Sequence, residues 1–306
     1  MINLNDIIKE RFPLKIEDGL VYHFQKESEQ KKFYDTFYTD STPPVEEKIP
    51  ELLTSNKAYH FELGEAYRRM EEIISSLEKR YASSGIVIEL GGSMYQERSA
   101  NAYKRLKNYF PLDLSYSSIR AYASKYNRPG IVCDAQQLPF KDASVDCILT
   151  HTFLEHPHQP EQVLDEIIRV LKPGGYVIHN DAWFCRWWHR FGLIGLKKFS
   201  SMTGREKMIA LAARITEFKF FRIPPIILRR FLSAMLFPKQ VKRNLVYNKL
   251  KPNYTLHLGC DEDAASNLDP VAVIRYYEAR GFRTLQPLTF RQRLLYPNKP
   301  IHLVKF

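Results

Sequence analysis

The chain has 306 residues, 44% hydrophobic and 26% charged, enough to bury one large core with or without a smaller accessory unit. Cys133, Cys147, Cys185 and Cys260 form no Cys-x-x-Cys pair or zinc spacing, and no stretch is apolar enough for a signal peptide or a membrane span. These features argue against a disulfide framework, a structural metal, secretion and membrane crossing, so a cytoplasmic protein is expected.

Residues 1 to about 58 contain a Pro-interrupted, mixed-charge stretch around Thr42 to Glu47 without a long period, which predicts short helices and loops. From Glu62 to about Tyr81, apolar residues such as Tyr67, Met70, Ile73, Ile74 and Leu77 recur at helical spacing and predict an amphipathic helix. The β-branched run 86–90 predicts a strand buried on both faces. A helix from about Glu97 to Lys107, a strand near Phe110 to Leu114, a helix across Ser117 to Tyr126 and a strand near Ile131 to Cys133 follow. Val145 to Thr150 and Tyr176 to His179 complete five strands. The helix Glu161 to Leu171 between the last two is closed by Lys172-Pro173-Gly174-Gly175.

The formal charge of +11 is concentrated in the next segment. Residues 186–251 hold sixteen Lys and Arg against Glu206 and Glu217, a net +14 that leaves the remainder slightly acidic and points to an acidic partner. Beyond it, Asp269-Pro270 predicts an N-cap with Pro at the first helical position, opening a helix that Gly281 ends. FRTLQPL (282–288) and IHLVKF (301–306) predict a terminal pair of strands. Alternating strands and helices imply an α/β fold, a doubly wound, mostly parallel sheet with right-handed crossovers. It carries N-terminal helices and a basic, mainly helical insert after the fifth strand. The divisions expected are 1–82 (N-terminal helical extension), 83–184 (nucleotide-binding core), 185–252 (basic amphipathic lid or insert) and 253–306 (C-terminal part of the sheet).

Doubly wound sheets bind ligands beyond the carboxyl ends of their strands. At the first such end, Glu89-Leu90-Gly91-Gly92-Ser93 is a close turn of small residues, either a ligand loop or a simple turn. Asp113, followed by Leu114 and 24 residues beyond Glu89, can accept from both hydroxyls of a ribose or cap the helix starting near Ser115. Asp134-Ala135 offers a carboxylate and an N–H to the amino edge of an adenine, or an Asp-mediated turn.

Over 131–178 the Asp-Ala, Leu-Pro-Phe, Val-Asp, Leu-Glu-His and Arg-Val-Leu-Lys-Pro-Gly-Gly elements stand in an order and spacing that resembles the class I S-adenosylmethionine-dependent methyltransferases. The similarity is to their small-molecule and glycan-locus subgroup. It implies a Rossmann-like core and S-adenosyl-L-methionine as cofactor. Glu89, Gly91, Gly92 and Ser93 would lie beside the methionine moiety, Asp113 with Leu114 at the ribose, Asp134 with Ala135 at the adenine, and Thr150 and His151 beneath the sulfonium. The implied reaction is biosynthetic methylation, chiefly of a hydroxyl on a small-molecule or carbohydrate-like acceptor, with His151 as candidate base.

One departure matters. Ser93 and Tyr95 stand where the family's acid-x-Gly-x-Gly-x-Gly loop has its second and third glycines. A non-catalytic binding or scaffold protein on the same fold is therefore the alternative reading, and a nucleic-acid methyltransferase the third. Glu155, His156 and His158 evoke a metal set, but Thr152 occupies the position of the family's additional Glu, and no metal is expected. His179, Asp181, His189 and His257 are further acid/base candidates.

Trp183, Phe184, Trp187 and Trp188 open the insert, which is expected to cover the site, either as a stacking lid or as packing. The stretch 218–243 interleaves aromatic and basic residues. It predicts peripheral contact of 186–251 with an anionic membrane, a surface for a lipid-linked anionic substrate, or a solvated basic face over a core-packed helix. No nucleic-acid reader module accompanies it, so nucleic acid is not expected among the partners.

Overall fold

The computed structural model describes residues 4–9, 15–17, 20–24, 28–39, 71–81, 84–92, 104–191, 199–235, 244–254, 262–296 and 299–306. In chain order its elements are β1 (Lys15–Glu17), β2 (Val21–His23), α1 (Glu29–Thr39), α2 (71–81), β3 (Ile86–Leu90), β4 (Asn108–Asp113), α3 (Tyr116–Tyr126), β5 (Gly130–Val132) and β6 (Val145–His151). Then come α4 (Pro160–Val170), β7 (Leu171–Asn180), α5 (Gly204–Glu217), α6 (Lys219–Met235), β8 (Asn248–Lys249) and β9 (Ser266–Asn267). Last are α7 (Pro270–Glu278), β10 (Phe282–Thr284), α8 (Phe290–Leu294) and β11 (Ile301–Lys305).

Nine strands form one sheet in the order β1-β2-β5-β4-β3-β6-β7-β11-β10. From β2 to β7 all neighbours are parallel, whereas β11 runs antiparallel to β7 and β10 antiparallel to β11. The chain winds outward from β3 through β4 to β5 and then crosses back to β6. The switch point at the carboxyl ends of β3 and β6 is where such sheets bind ligands.

Period-two alternation explains how β3 serves two layers. Ile86, Ile88 and Leu90 enter the main core, while Val87 faces the other way into a cluster with Ile73, Ile74, Leu77 and Tyr81 of α2. In α4, Val163, Leu164, Ile167 and Val170 are buried on one helical stripe. The α7 start follows its sequence reading: the Asp269 side chain accepts from the Val271 N–H, with Pro at the first helical turn. Gly281, at φ +86°, follows that helix.

The structure departs from the sequence reading in two places, and a third reading lies mostly outside the described residues. The N-terminal region contributes strands as well as helices, because the three-residue β2 pairs in parallel with β5 and extends the sheet. Such short strands carry no readable period. Helix α4 ends at Leu171 in extended geometry and passes straight into β7, and the left-handed Gly174 (φ +76°) lies within that strand. The helix expected over Glu97 to Lys107 falls mostly outside the described residues, of which 104–105 are helical.

Candidate active site

Beyond the carboxyl ends of β3, β4 and β5 lies a cavity of about 700 Å³, open to solvent. Its walls include Gly91, Asp113, Leu114, Asp134 and Ala135, five of the residues singled out from sequence, together with Thr152, Phe153 and His156. Helix α1 supplies Gln30 and Tyr34. On this side the cavity is walled by an N-terminal helix, and no described residue of 186–251 lines it; residues 192–198 and 236–243 of the insert expected to cover the site lie outside the described residues.

Helix α1 is docked by charge. Asp35 accepts from the Ser115 hydroxyl (3.0 Å) and the Ser117 N–H (3.2 Å), which places a carboxylate at the N-terminus of α3, where the helix dipole favours it. Gln30 Nε2 donates to the His156 carbonyl at 3.1 Å, tying the helix to the opposite rim.

The turn after β3 is constrained on both sides. The N–H groups of Gly91 and Gly92 both donate to the Leu112 carbonyl (2.8 and 3.1 Å), so they bind the neighbouring strand end rather than pointing into the cavity. Gly91 has φ +71°, and a Cβ there would stand 2.7 Å from the Phe153 ring. Gly91→Ala is expected to destabilise the protein by about 2 kcal/mol, combining left-handed strain with overpacking. Urea unfolding checks this; a change below about 0.5 kcal/mol would contradict the left-handed turn. Ser93 and Tyr95 lie outside the described residues.

Asp113 Oδ1 accepts from the Ser115 N–H at 2.8 Å, while Ser115 itself caps α3. Burial pushes the Asp113 carboxyl up to about 6, against the opposing pull of the Ser115 and Leu114 N–H groups. Asp134 caps the short 3-10 turn Ala135–Gln137, accepting from the Gln136 N–H (2.8 Å) and side-chain amide (3.0 Å). The turn-forming and ligand-facing readings of this residue therefore coexist, since it also lines the cavity.

The remaining expected residues sit behind the wall. Glu89 is buried and accepts from the Tyr109 hydroxyl. Thr150 is fully buried, 2.7 Å from His179 Nδ1 and donating to Asp181 Oδ2 at 2.6 Å. His151 is buried, its Nδ1 2.7 Å from Asn180 Nδ2, and it is not among the cavity residues. The side chains of His179 and Asp181, among the further acid/base candidates, are wholly inaccessible. Asp181 Oδ1 accepts from the N–H groups of Phe153 and Leu154 (3.0 and 3.2 Å), so it fixes the loop that forms part of the cavity wall. That loop begins at Thr152, a β-branched residue at φ +46°, a strained conformation held by its surroundings.

His156 does reach the cavity. Its Nδ1 lies 3.1 Å from Asp263 Oδ2, which also accepts from the Tyr34 hydroxyl, and its Nε2 lies 3.7 Å from Glu155 Oε1. Burial alone would raise the Asp263 carboxyl, but His156 and the Tyr34 hydroxyl hold it down to about 2. An anionic carboxylate oriented on an imidazole is the arrangement of a general base. Sequence reasoning missed it because Asp263 is 107 residues away from His156 and no local motif announces it. Among the described residues no group of three or more His, Cys, Asp or Glu could hold a metal ion. Of the insert's aromatic cluster, Trp183 and Phe184 are buried in the main core, Trp187 is half exposed, and none lines the cavity.

The family comparison falls on the strands that bound this cavity. Residues 90–179 match the family model described as "Methyltransferase domain". Phthiotriol/phenolphthiotriol dimycocerosates methyltransferase 1 of Mycobacterium ulcerans is 35% identical over 98 residues, 30% of this chain and 33% of that protein. Fatty-acid O-methyltransferase of Mycolicibacterium smegmatis is also 35% identical, with the same coverage. The chain thus spans about a third of the length of the curated relatives it matches. Among solved structures, the YcgJ protein of Bacillus subtilis is similar at 11% identity, covering 78% of this chain and 94% of that one with a TM-score of 0.43. The segment from the end of β3 through most of β7 is thus similar to a methyltransferase domain, and the antiparallel β11–β10 pair lies beyond it in sequence.

Proposed function

We propose that this protein transfers a methyl group from S-adenosylmethionine to an oxygen atom of a small, lipid-like acceptor. The observation that carries the reading is a single cavity walled both by Asp113 and Asp134 and by the paired His156. A carboxylate at a strand end suits a ribose diol, and Asp134 with the Ala135 N–H suits an adenine edge, so the residues present fit the cofactor. The site residues proposed for it are Gly91, Asp113, Leu114, Asp134 and Ala135, with Glu89, Gly92 and Thr150 supporting from behind.

When bound, S-adenosylmethionine supplies the electrophilic methyl group. The chain's own contribution is alignment and proton handling. His156 takes the acceptor's hydroxyl proton onto a ring nitrogen, Asp263 stabilises the resulting imidazolium, and the Tyr34 hydroxyl holds Asp263 in place. His156 replaces His151 in this role because only the former reaches the cavity.

The acceptor expected from sequence was small or carbohydrate-like. Relatives named for phthiotriol dimycocerosates and fatty acids favour a lipid-like acceptor over a carbohydrate-like one. Contact of 186–251 with an anionic membrane, on the cytoplasmic face, belongs to the same proposal, and nucleic acid is not proposed as a partner. No helix among the described residues is long and apolar enough to cross a membrane.

The test is methyl transfer from isotopically labelled S-adenosylmethionine to a panel of fatty acids, long-chain alcohols and glycosides. Label is expected in the long-chain products. Folded protein that binds the cofactor yet labels nothing would favour the non-catalytic alternative, and labelling of glycosides alone would move the acceptor class.

A further inference from the structure

Helices α5 and α6 reverse the expectation that an amphipathic helix hides its apolar face. In α6 the large exposed side chains are Phe220, Phe221, Ile223, Leu228, Phe231, Leu232 and Met235, with Phe220 82% exposed. At about 100° per residue they fall within roughly half of the helix circumference. Arg230, on another side, is 4% exposed and grips Asp269 through two nitrogens (2.8 and 3.0 Å) while donating to the Leu294 carbonyl at 2.9 Å. The helix is therefore anchored to the body by an arginine and turns its hydrocarbon outward. Helix α5, packed against α6, repeats the pattern: Met208, Leu211 and Ile215 are exposed at i, i+3 and i+7, and Phe218 continues the row, whereas Ala210 and Ala213 are buried.

An outward apolar surface of this extent marks an interaction site. We propose that the α5–α6 hairpin docks this protein on an anionic bilayer, with its phenylalanines among the upper acyl chains and the surrounding bases at the phosphates. Charge selects the occupant. The hairpin lies inside a segment of net +14, so a second copy would bring like charge against like. Basic residues bordering a hydrocarbon stripe match an anionic lipid surface. Arg229 faces the body, paired to Asp269 at 3.0 Å, whereas Arg205 and Arg214 of α5 are exposed on either side of its apolar row; their long stems allow the guanidinium groups to reach headgroups while apolar neighbours insert. The inference rests on the lipid-like acceptor, which the bilayer would present, but it is separable from it.

The experiment is flotation of the full chain with vesicles of phosphatidylcholine alone or of phosphatidylcholine and phosphatidylglycerol in equal parts. The wild type is expected to float with the mixed vesicles only, and less as salt is raised. The triple substitution Phe220→Ser, Leu228→Ser and Met235→Ser is expected to lower partitioning at least tenfold with thermal unfolding and S-adenosylmethionine affinity unchanged. Wild type that stays unbound to mixed vesicles, or a triple variant that floats equally well, overturns the proposal. A concentration-dependent dimer abolished by the same substitutions would assign the face to a second copy and overturn it too. Calorimetry with S-adenosylmethionine on the same preparation keeps the two ideas apart. Flotation without cofactor binding removes the methyltransferase reading alone, and cofactor binding without flotation removes the membrane surface alone.

Discussion

Asp113→Asn is expected to bind S-adenosylmethionine about 100-fold more weakly than the wild type while unfolding at a higher temperature. The two effects share one cause. Burial raises the carboxyl from 3.8 to about 6, so at neutral pH the folded protein carries a charge its surroundings disfavour. A shift of about two units corresponds to about 3 kcal/mol of native-state stability, taken as an upper bound. Because the folded value lies above the unfolded one, this contribution is fully present below about pH 4 and is lost as pH rises through about 6. Asparagine removes the charge, keeps an oxygen for the Ser115 N–H, and flattens that stretch of the stability profile.

The carboxylate is nevertheless what two ribose hydroxyls require, and hydrogen bonds to a charged group contribute about 1.5–3 kcal/mol each. Cofactor binding should therefore release a proton at low pH, and affinity should fall as pH drops below about 6. Calorimetry at several pH values together with thermal unfolding checks both halves. Unchanged affinity in Asp113→Asn would mean the ribose is held elsewhere.

His156→Gln should lower kcat by about 10²- to 10³-fold on a hydroxyl acceptor while leaving cofactor affinity within about threefold, as removal of a general base does. Glutamine occupies similar space and can still bond Asp263, so the loss reports proton transfer rather than packing. Tyr34→Phe, which removes one of the bonds holding Asp263, should cost less, about tenfold. The check is the single-turnover rate with the acceptor found by labelling. If both variants also lose cofactor affinity and unfold earlier, His156 is a structural residue of the cavity wall.

Much of the fold was legible because local rules and global topology agreed. β3 announces itself as four apolar positions around Glu89, and Asp269-Pro270 writes the start of α7. Asp113 and Asp134 could be placed at strand ends because the strands around them were readable. What escaped detection depends on long-range geometry. The strand pair 15–23 exists only because β5 offers it an edge, and α1 covers the cavity through Asp35 at the N-terminus of α3, a contact across 80 residues. The pairing of His156 with Asp263 has the same origin.

His151 shows the converse limit of such a reading. Its place at the end of β6 was right, but the side chain of a strand-end residue can face either layer, and the Asn180 contact holds this one behind the wall. The hairpin 204–235 was readable as amphipathic. Which face met water was not, since the same apolar stripe describes a helix packed inward and one waiting for a surface.

The account's central claim is that the cavity at the ends of β3, β4 and β5 holds S-adenosylmethionine. Calorimetric titration of the full chain with this compound tests it most directly. One saturable site per chain, lost or greatly weakened in Asp113→Ala with the variant still folded, is the predicted result. No heat of binding from folded wild-type protein, or binding that Asp113→Ala leaves untouched, would contradict it.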